Sequence, residues 1–185
     1  MSLDHAILGF VNEMPRSGYD LKKAFDGSVA HFWPANQGQI YRTLARLTEA
    51  GLVEVRVVEQ DGKPNRKVYY ITEAGLAELR RWLSTPLPLT HWREAFLIQF
   101  FFADAITVEE IVALLEARSA AHRARLEFYR QAQRWMTDSP PKGVWDRVLH
   151  PLILEGGVMM EEAWLAWLER ALEKARGLPP LEVGG

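Results

Sequence analysis

The sequence predicts a mainly α, α+β chain in two parts, and three observations carry that prediction. Apolar residues recur at helical spacing through most of the 185 residues. Residues 52–71 break that rule, alternating in two runs with a turn cluster between them. Two prolines in three residues, Pro86-Leu87-Pro88, then separate short elements from long ones. These observations divide the chain into residues 1–85, short helices with a hairpin, and residues 86–185, helical almost to the end.

The first element is a helix over residues 3–13, with Leu3, Ile7, Leu8 and Val11 at helical spacing. Pro15-Arg16-Ser17-Gly18 reads as a turn, and Ser17 followed by Asp20 forms a capping box that opens a second helix. That helix runs to about Gly27 and offers Leu21, Ala24 and Phe25 for burial. Asn36 with Gln39 is a second capping box. Ile40, Leu44 and Leu47 form the inner stripe of the third helix, and Gly51 is its left-handed stop residue. The valine-rich run 52–58 and the run 67–71 then form a β-hairpin around Gln60-Asp61-Gly62-Lys63-Pro64-Asn65. Thr72 caps a fourth helix carrying Leu76, Leu79, Trp82 and Leu83 to the proline boundary.

Composition excludes several classes of function. With 48% apolar and 25% charged residues, the chain has the makings of a packed core. There is no cysteine, which removes disulfides, thiolate nucleophiles, iron–sulfur clusters and cysteine-based zinc sites. The five histidines form no pair at ligand spacing, and no cofactor is expected. No apolar run is long enough for a membrane span, and the N-terminus lacks a basic region followed by an apolar stretch. The expectation is a soluble cytoplasmic protein. No nucleophile elbow, phosphate loop or dinucleotide fingerprint is present, so an enzyme is not expected.

Three short helices, a two-stranded hairpin and a further helix make a winged helix-turn-helix, in which the third helix enters the major groove and the wing touches the flanks. The chain's net charge of −2 is unusual for a nucleic-acid binder. Residues 34–70, however, carry 6 basic and 4 acidic side chains, enough for a local basic face. The outward face of the third helix carries Arg42, Ala45, Arg46 and Glu49, with Gln37 and Gln39 in its first turn and Tyr41 on its flank. Arginine pairs with guanine edges and glutamine with adenine edges. A tyrosine hydroxyl suits phosphate. Lys63, Arg66 and Lys67 give the wing three cations for phosphates. Double-stranded DNA is therefore the expected partner. The alternative is a winged-helix module for protein–protein contact with no DNA role.

These residues resemble the PadR family of transcriptional regulators. The likeness runs through Ala6-Ile7-Leu8-Gly9-Phe10, Ser17-Gly18-Tyr19-Asp20-Leu21, Phe32-Trp33-Pro34 and Gly38-Gln39-Ile40-Tyr41-Arg42-Thr43-Leu44. It continues through Leu47-Thr48-Glu49-Ala50-Gly51-Leu52-Val53 and the segment from Arg66 to Gly75. In the second half, Phe100-Phe101-Phe102-Ala103, Gly156-Gly157 and Trp164-Leu165-Ala166-Trp167-Leu168 are similar to the family's longer, virulence-type helical domain. The resemblance implies a dimeric repressor on a dyad operator, often released by a small molecule. It also implies that Tyr41, Arg66 and Lys67 contact the DNA backbone.

Residues 91–103 are apolar on nearly all sides, which predicts a buried helix between the DNA-binding part and the long helices. Thr107 with Glu110 opens a helix to about Met136. Leu114, Ala121, Phe128 and Trp135 recur every seven residues, and so do Val108, Leu115, His122, Tyr129 and Met136 on a neighbouring stripe. A last helix runs from Val144 to about Ala175, with a break or kink expected at Pro151 and close helix approach at Gly156-Gly157. Glu161-Glu162 reads as ordinary helix surface. Two long helices per chain predict a homodimer, with recognition helices ~34 Å apart. Trp92, Trp135, Trp164 and Trp167 are candidates for binding a small aromatic or amphipathic effector, against the plainer reading that they fill the dimer core.

Overall fold

The structure, a computed structural model, describes residues 2–30, 32–59, 65–89, 93–138 and 143–179. The backbone divides into two compact units, Met1–Thr90 and His91–Gly185.

The first unit is built around α1 (Ser2–Glu13), α2 (Gly18–Asp26), α3 (Gln37–Glu49) and α4 (Glu73–Leu83). A three-stranded antiparallel sheet completes it: β1 (Arg16–Ser17), β2 (Val53–Val58) and β3 (Arg66–Ile71), in the order β1-β3-β2. Local chemistry starts and stops the helices where the sequence predicts. Ser17 and Asp20 close one capping box and Asn36 and Gln39 another, while the Thr72 hydroxyl accepts from the Gly75 amide. Gly51 has φ +68°, and Leu52 N–H donates back to the Leu47 carbonyl at 2.9 Å, closing α3 with a left-handed turn. Ile7, Leu8 and Val11 of α1, Leu21 and Phe25 of α2, Ile40, Leu44 and Leu47 of α3, and Val53 and Leu79 form one core. Each such burial contributes ~1.5–3 kcal/mol, which is what holds α3 in place.

The expected turn at Pro15-Arg16-Ser17-Gly18 contains a strand. Arg16 pairs with Tyr69 and Ser17 with Val68, so the start of α2 is stitched to the root of the wing. The alternation of β2 does not translate into burial either. Only Val53 is buried, while Val55, Val57 and Val58 are exposed, because no element covers the outer part of the hairpin. On α4, Leu79 is buried but Leu83 is exposed, and Trp82 stacks on the His5 ring at 4.5 Å.

The second unit consists of α5 (Ala95–Phe101), a 3₁₀ turn (Ala103–Ala105), α6 (Val108–Asp138) and α7 (Val144–Arg176). The Thr107–Glu110 capping box opens α6. Of the two seven-residue stripes on α6, the one through Leu115, His122 and Tyr129 is buried against α7; Phe128 and Trp135 on the other are exposed. On α7 the buried stripe is Leu154, Glu161, Leu168 and Ala175, again at seven-residue spacing. Gly157 lets the helices meet, since a Cβ there would fall 2.5 Å from the Tyr129 ring.

Three expectations need correction here. Helix α5 is not buried on all sides: Phe96 is, but Ile98, Phe101 and Phe102 are exposed. Within this unit α5 packs through Phe96, with Leu97 and Phe100 partly buried beside it, and its other face is left exposed. Helix α7 continues through Pro151, so of the expected break or kink the break does not occur. Glu161 is buried, not surface, and accepts a 2.5 Å hydrogen bond from His122 Nδ1. Among the described residues no helix is long and apolar enough to cross a membrane.

Candidate nucleic-acid interface

Helix α3 is fixed by its inner stripe, so its outward residues are determined by geometry. Gln37, Gln39, Tyr41, Arg42 and Arg46 are all exposed on it. Their environments differ. The Gln39 side-chain oxygen accepts the Asn36 amide at 2.8 Å, so this glutamine is part of the cap. The Arg42 guanidinium passes close over Gly38 and has no ion-pair partner among the described residues. Arg46 donates through both terminal nitrogens to the two oxygens of Asp4, each at 2.5 Å. Asp4 is buried on α1, and Arg46 holds its carboxyl below the usual carboxylate range. Arg46 is thus a tether between α3 and α1 over a sequence separation of 42 residues, a role its helical position does not reveal.

Beside α3 lies a cleft of about 500 Å³, lined by Ser17, Gly18, Tyr19, Asp20, Tyr41, Asn65, Arg66, Lys67 and Tyr69. The start of α2, the flank of α3 and the root of the wing therefore converge. Tyr41 packs close against Gly18, where a Cβ would sit 2.5 Å from its ring. Burial and the nearby Tyr41 push the Tyr69 phenol above its ordinary range. Lys67 is exposed with no ion-pair partner among the described residues, whereas Arg66 is paired with Asp20. Burial alone would raise the Asp20 carboxyl, but hydrogen bonds from the Ser17 hydroxyl and amide, and the Arg66 charge, hold it below the usual range. Arg56, on β2, lies over the Tyr70 ring at 4.5 Å. Lys63 falls outside the described residues. Asp20, Tyr19 and Tyr69 joined the cleft unforeseen; the two-residue spacing of Lys67 and Tyr69 along β3 was the available signal.

Of the four tryptophans expected at an effector site, Trp164 and Trp167 meet edge to face with ring centroids 5.4 Å apart. Trp135 is exposed on α6, and Trp92 lies outside the described residues. Trp164 stacks on His122, with Arg118 5.5 Å from its ring. Trp167 packs edge-on against Phe100 and faces a second cleft of about 440 Å³, shared with Ala103, Asp104, Ile111, Arg170, Ala171, Lys174, Ala175 and Leu178.

Comparison with known proteins places this geometry. Residues 7–81 match the transcriptional regulator PadR-like family, and residues 92–176 match the virulence activator alpha C-terminal family. The probable transcriptional regulator Rv1176c of Mycobacterium tuberculosis is 34% identical over 184 residues, covering 94% of this chain and 97% of that protein. The chain belongs to the PadR-like family. The negative transcriptional regulator PadR of Bacillus subtilis is 29% identical over 174 residues, covering 92% and 95% of the two chains. Its crystal structure in complex with operator DNA matches with a TM-score of 0.82 at 26% identity, over 95% of this chain and 99% of that one. The same protein in complex with p-coumaric acid matches with a TM-score of 0.77 at 26% identity, over 94% of each. This PadR-like chain is therefore a winged-helix, DNA-binding transcriptional regulator with a C-terminal helical region, and its relatives are regulators, not enzymes.

Proposed function

We propose that the chain is a cytoplasmic, homodimeric repressor that grips a dyad operator through α3 and the β2–β3 wing and releases it on binding a small aromatic acid. The observation that carries the DNA part is the cleft joining α2, α3 and the wing root, with Tyr41, Arg66 and Lys67 around it and Arg42 standing clear on α3. Arg42 and Gln37 read base edges, with Gln39 setting the first turn. Tyr41, Arg66, Lys67 and, at the wing tip, Lys63 hold phosphates. Arg46 positions α3 from behind. The name of the Bacillus subtilis relative supports a negative regulator.

The effector reading is favoured by the cleft beside Trp167. Its lining is mostly apolar, and its charged members are Asp104 together with Arg170 and Lys174, the two cations having no ion-pair partners among the described residues. An aromatic ring against the apolar lining with its carboxylate at those cations is the complementary occupant. The relative solved with p-coumaric acid supports the same ligand class.

Fluorescence anisotropy with a duplex from the gene's own upstream region tests both parts. Lys67→Ala is expected to weaken operator and random DNA alike and to flatten the salt slope by about one unit. Arg42→Ala is expected to weaken the operator selectively, by roughly 1–3 kcal/mol. A Lys67 variant that alters only sequence preference overturns the wing assignment. Titrated p-coumarate should release the wild-type protein from its operator and fail on an Arg170→Gln/Lys174→Gln variant. Equal release from both overturns this effector site.

A further inference from the structure

The phosphate-facing cleft contains a fixed negative charge. Asp20 lies in it with Tyr41, Arg66 and Lys67, and its Oδ2 takes every hydrogen bond described for its carboxylate. The Ser17 hydroxyl donates to it at 2.7 Å and the Ser17 amide at 3.3 Å, while Arg66 pairs with it through Nη2. The bond from the Ser17 amide is half of the capping box that starts α2, whose other half is the Asp20 amide donating to the Ser17 hydroxyl oxygen at 3.2 Å. Ser17 itself is buried and paired with β3. The carboxylate therefore cannot swing away without giving up its half of that cap. Arg66 is under no such restraint, since it is exposed and reaches Asp20 on a long flexible stem.

We infer that Asp20 is a built-in competitor of DNA phosphate for Arg66, setting the baseline affinity of the regulator without reading sequence. In the free protein the wing arginine is neutralised from within. A phosphate entering the cleft draws Arg66 across, and Asp20 stays behind as an unpaired anion close to the backbone. Every DNA complex carries this cost, whatever its sequence. It falls equally on operator and random DNA, so it leaves the ratio between them unchanged while reducing the amount of protein held on non-cognate DNA.

The inference rests on the reading that this cleft takes the DNA backbone, and one set of variants separates the two. Asp20→Asn keeps an oxygen for the Ser17 amide and removes the charge. Thermal unfolding establishes that it is folded. Relative to wild type, Asp20→Asn is expected to bind operator and random duplex about two- to five-fold more tightly near 0.1 M salt, the range of an exposed ion pair. The slope of log affinity against log salt should steepen by up to ~0.9, because one more counterion is released when Arg66 enters uncompensated. In an Arg66→Gln background the same Asp20 substitution should gain clearly less. Unchanged affinity in Asp20→Asn overturns the proposal, as does a gain confined to the operator. A full gain that persists without Arg66 overturns it too, since Arg66 would then not be the contested group. If Arg66→Gln and Lys67→Gln leave binding untouched, the cleft itself is the wrong interface.

Discussion

Arg46 stands on the exposed half of α3, where pattern alone gives it to DNA, yet its guanidinium is committed to a carboxylate on α1. Asp4 is 9% exposed and has no other ion pair described, so the contact is worth more to the fold than an ordinary surface pair. Asp4→Asn is expected to cost about 1 kcal/mol of stability while changing sequence preference on DNA less than Arg42→Ala does. The pH dependence follows from the sign of the shift. Hydrogen bonds from Arg46 lower the Asp4 carboxyl from its ordinary 3.8 in the folded state. Its contribution is then present above that value and lost as pH falls below it. Glu78 behaves likewise, held at about 2 by hydrogen bonds from Arg81 and His5. Thermal unfolding between pH 7 and pH 3 checks this: the midpoint should fall less steeply on acidification in Asp4→Asn than in wild type, and least in a variant that also carries Glu78→Gln. Parallel curves for all three would remove both carboxylates from the account.

At the scale of elements, α6 and α7 are held together by an apolar seam with one polar interruption. His122 and Glu161 are 3% and 5% exposed, and Arg125 approaches the same carboxylate at 3.5 Å. No hydrogen-bond partner is described for His122 Nε2. A buried pair of this kind costs more to break than it contributes intact. His122→Leu is expected to destabilise by roughly 3 kcal/mol, since it strands the Glu161 carboxylate, and His122→Leu/Glu161→Leu should recover most of that loss. Denaturant unfolding at one fixed protein concentration measures both; a double variant as unstable as the two singles added would show zero coupling and remove the pair from the account of the seam. The same helices show what a sequence discloses. Capping boxes at Ser17, Asn36 and Thr107 were legible because their chemistry spans three residues. The Arg46–Asp4 tether and the His122–Glu161 pair, 42 and 39 residues apart, were not, because no local period encodes them. The strand β1 is two residues long, too short for any alternation. Helix α5 misled for a different reason: an all-round apolar pattern reports that a segment is to be covered, without saying by what.

For the molecule as a whole, that uncovered surface is the main energetic fact. On α6, Phe128 is 45% and Trp135 61% exposed, while on α7 Val148, Leu149, Leu152, Ile153, Met159 and Met160 are exposed as well. Single chains in water seldom present so many large apolar side chains along two helices. A second copy of the chain is the partner that symmetry makes simplest, because one patch then covers its own equivalent. A stable pairing needs ~1,200–2,000 Å² of buried surface, which helices of 31 and 33 residues can supply. Sedimentation equilibrium at micromolar concentration is therefore expected to give twice the 21.2 kDa chain mass. Phe128→Ser/Trp135→Ser should move the protein toward single chains. Operator affinity should fall with it, even though neither residue lies near α3 or the wing in sequence, because two linked half-sites become two independent encounters and the effective-concentration gain of ~10²–10⁴ is lost. Random DNA, which rewards no dyad, should be bound with much less change. A chain that sediments at 21.2 kDa throughout, or a double variant that stays dimeric with operator affinity intact, would place the pairing surface elsewhere on the molecule.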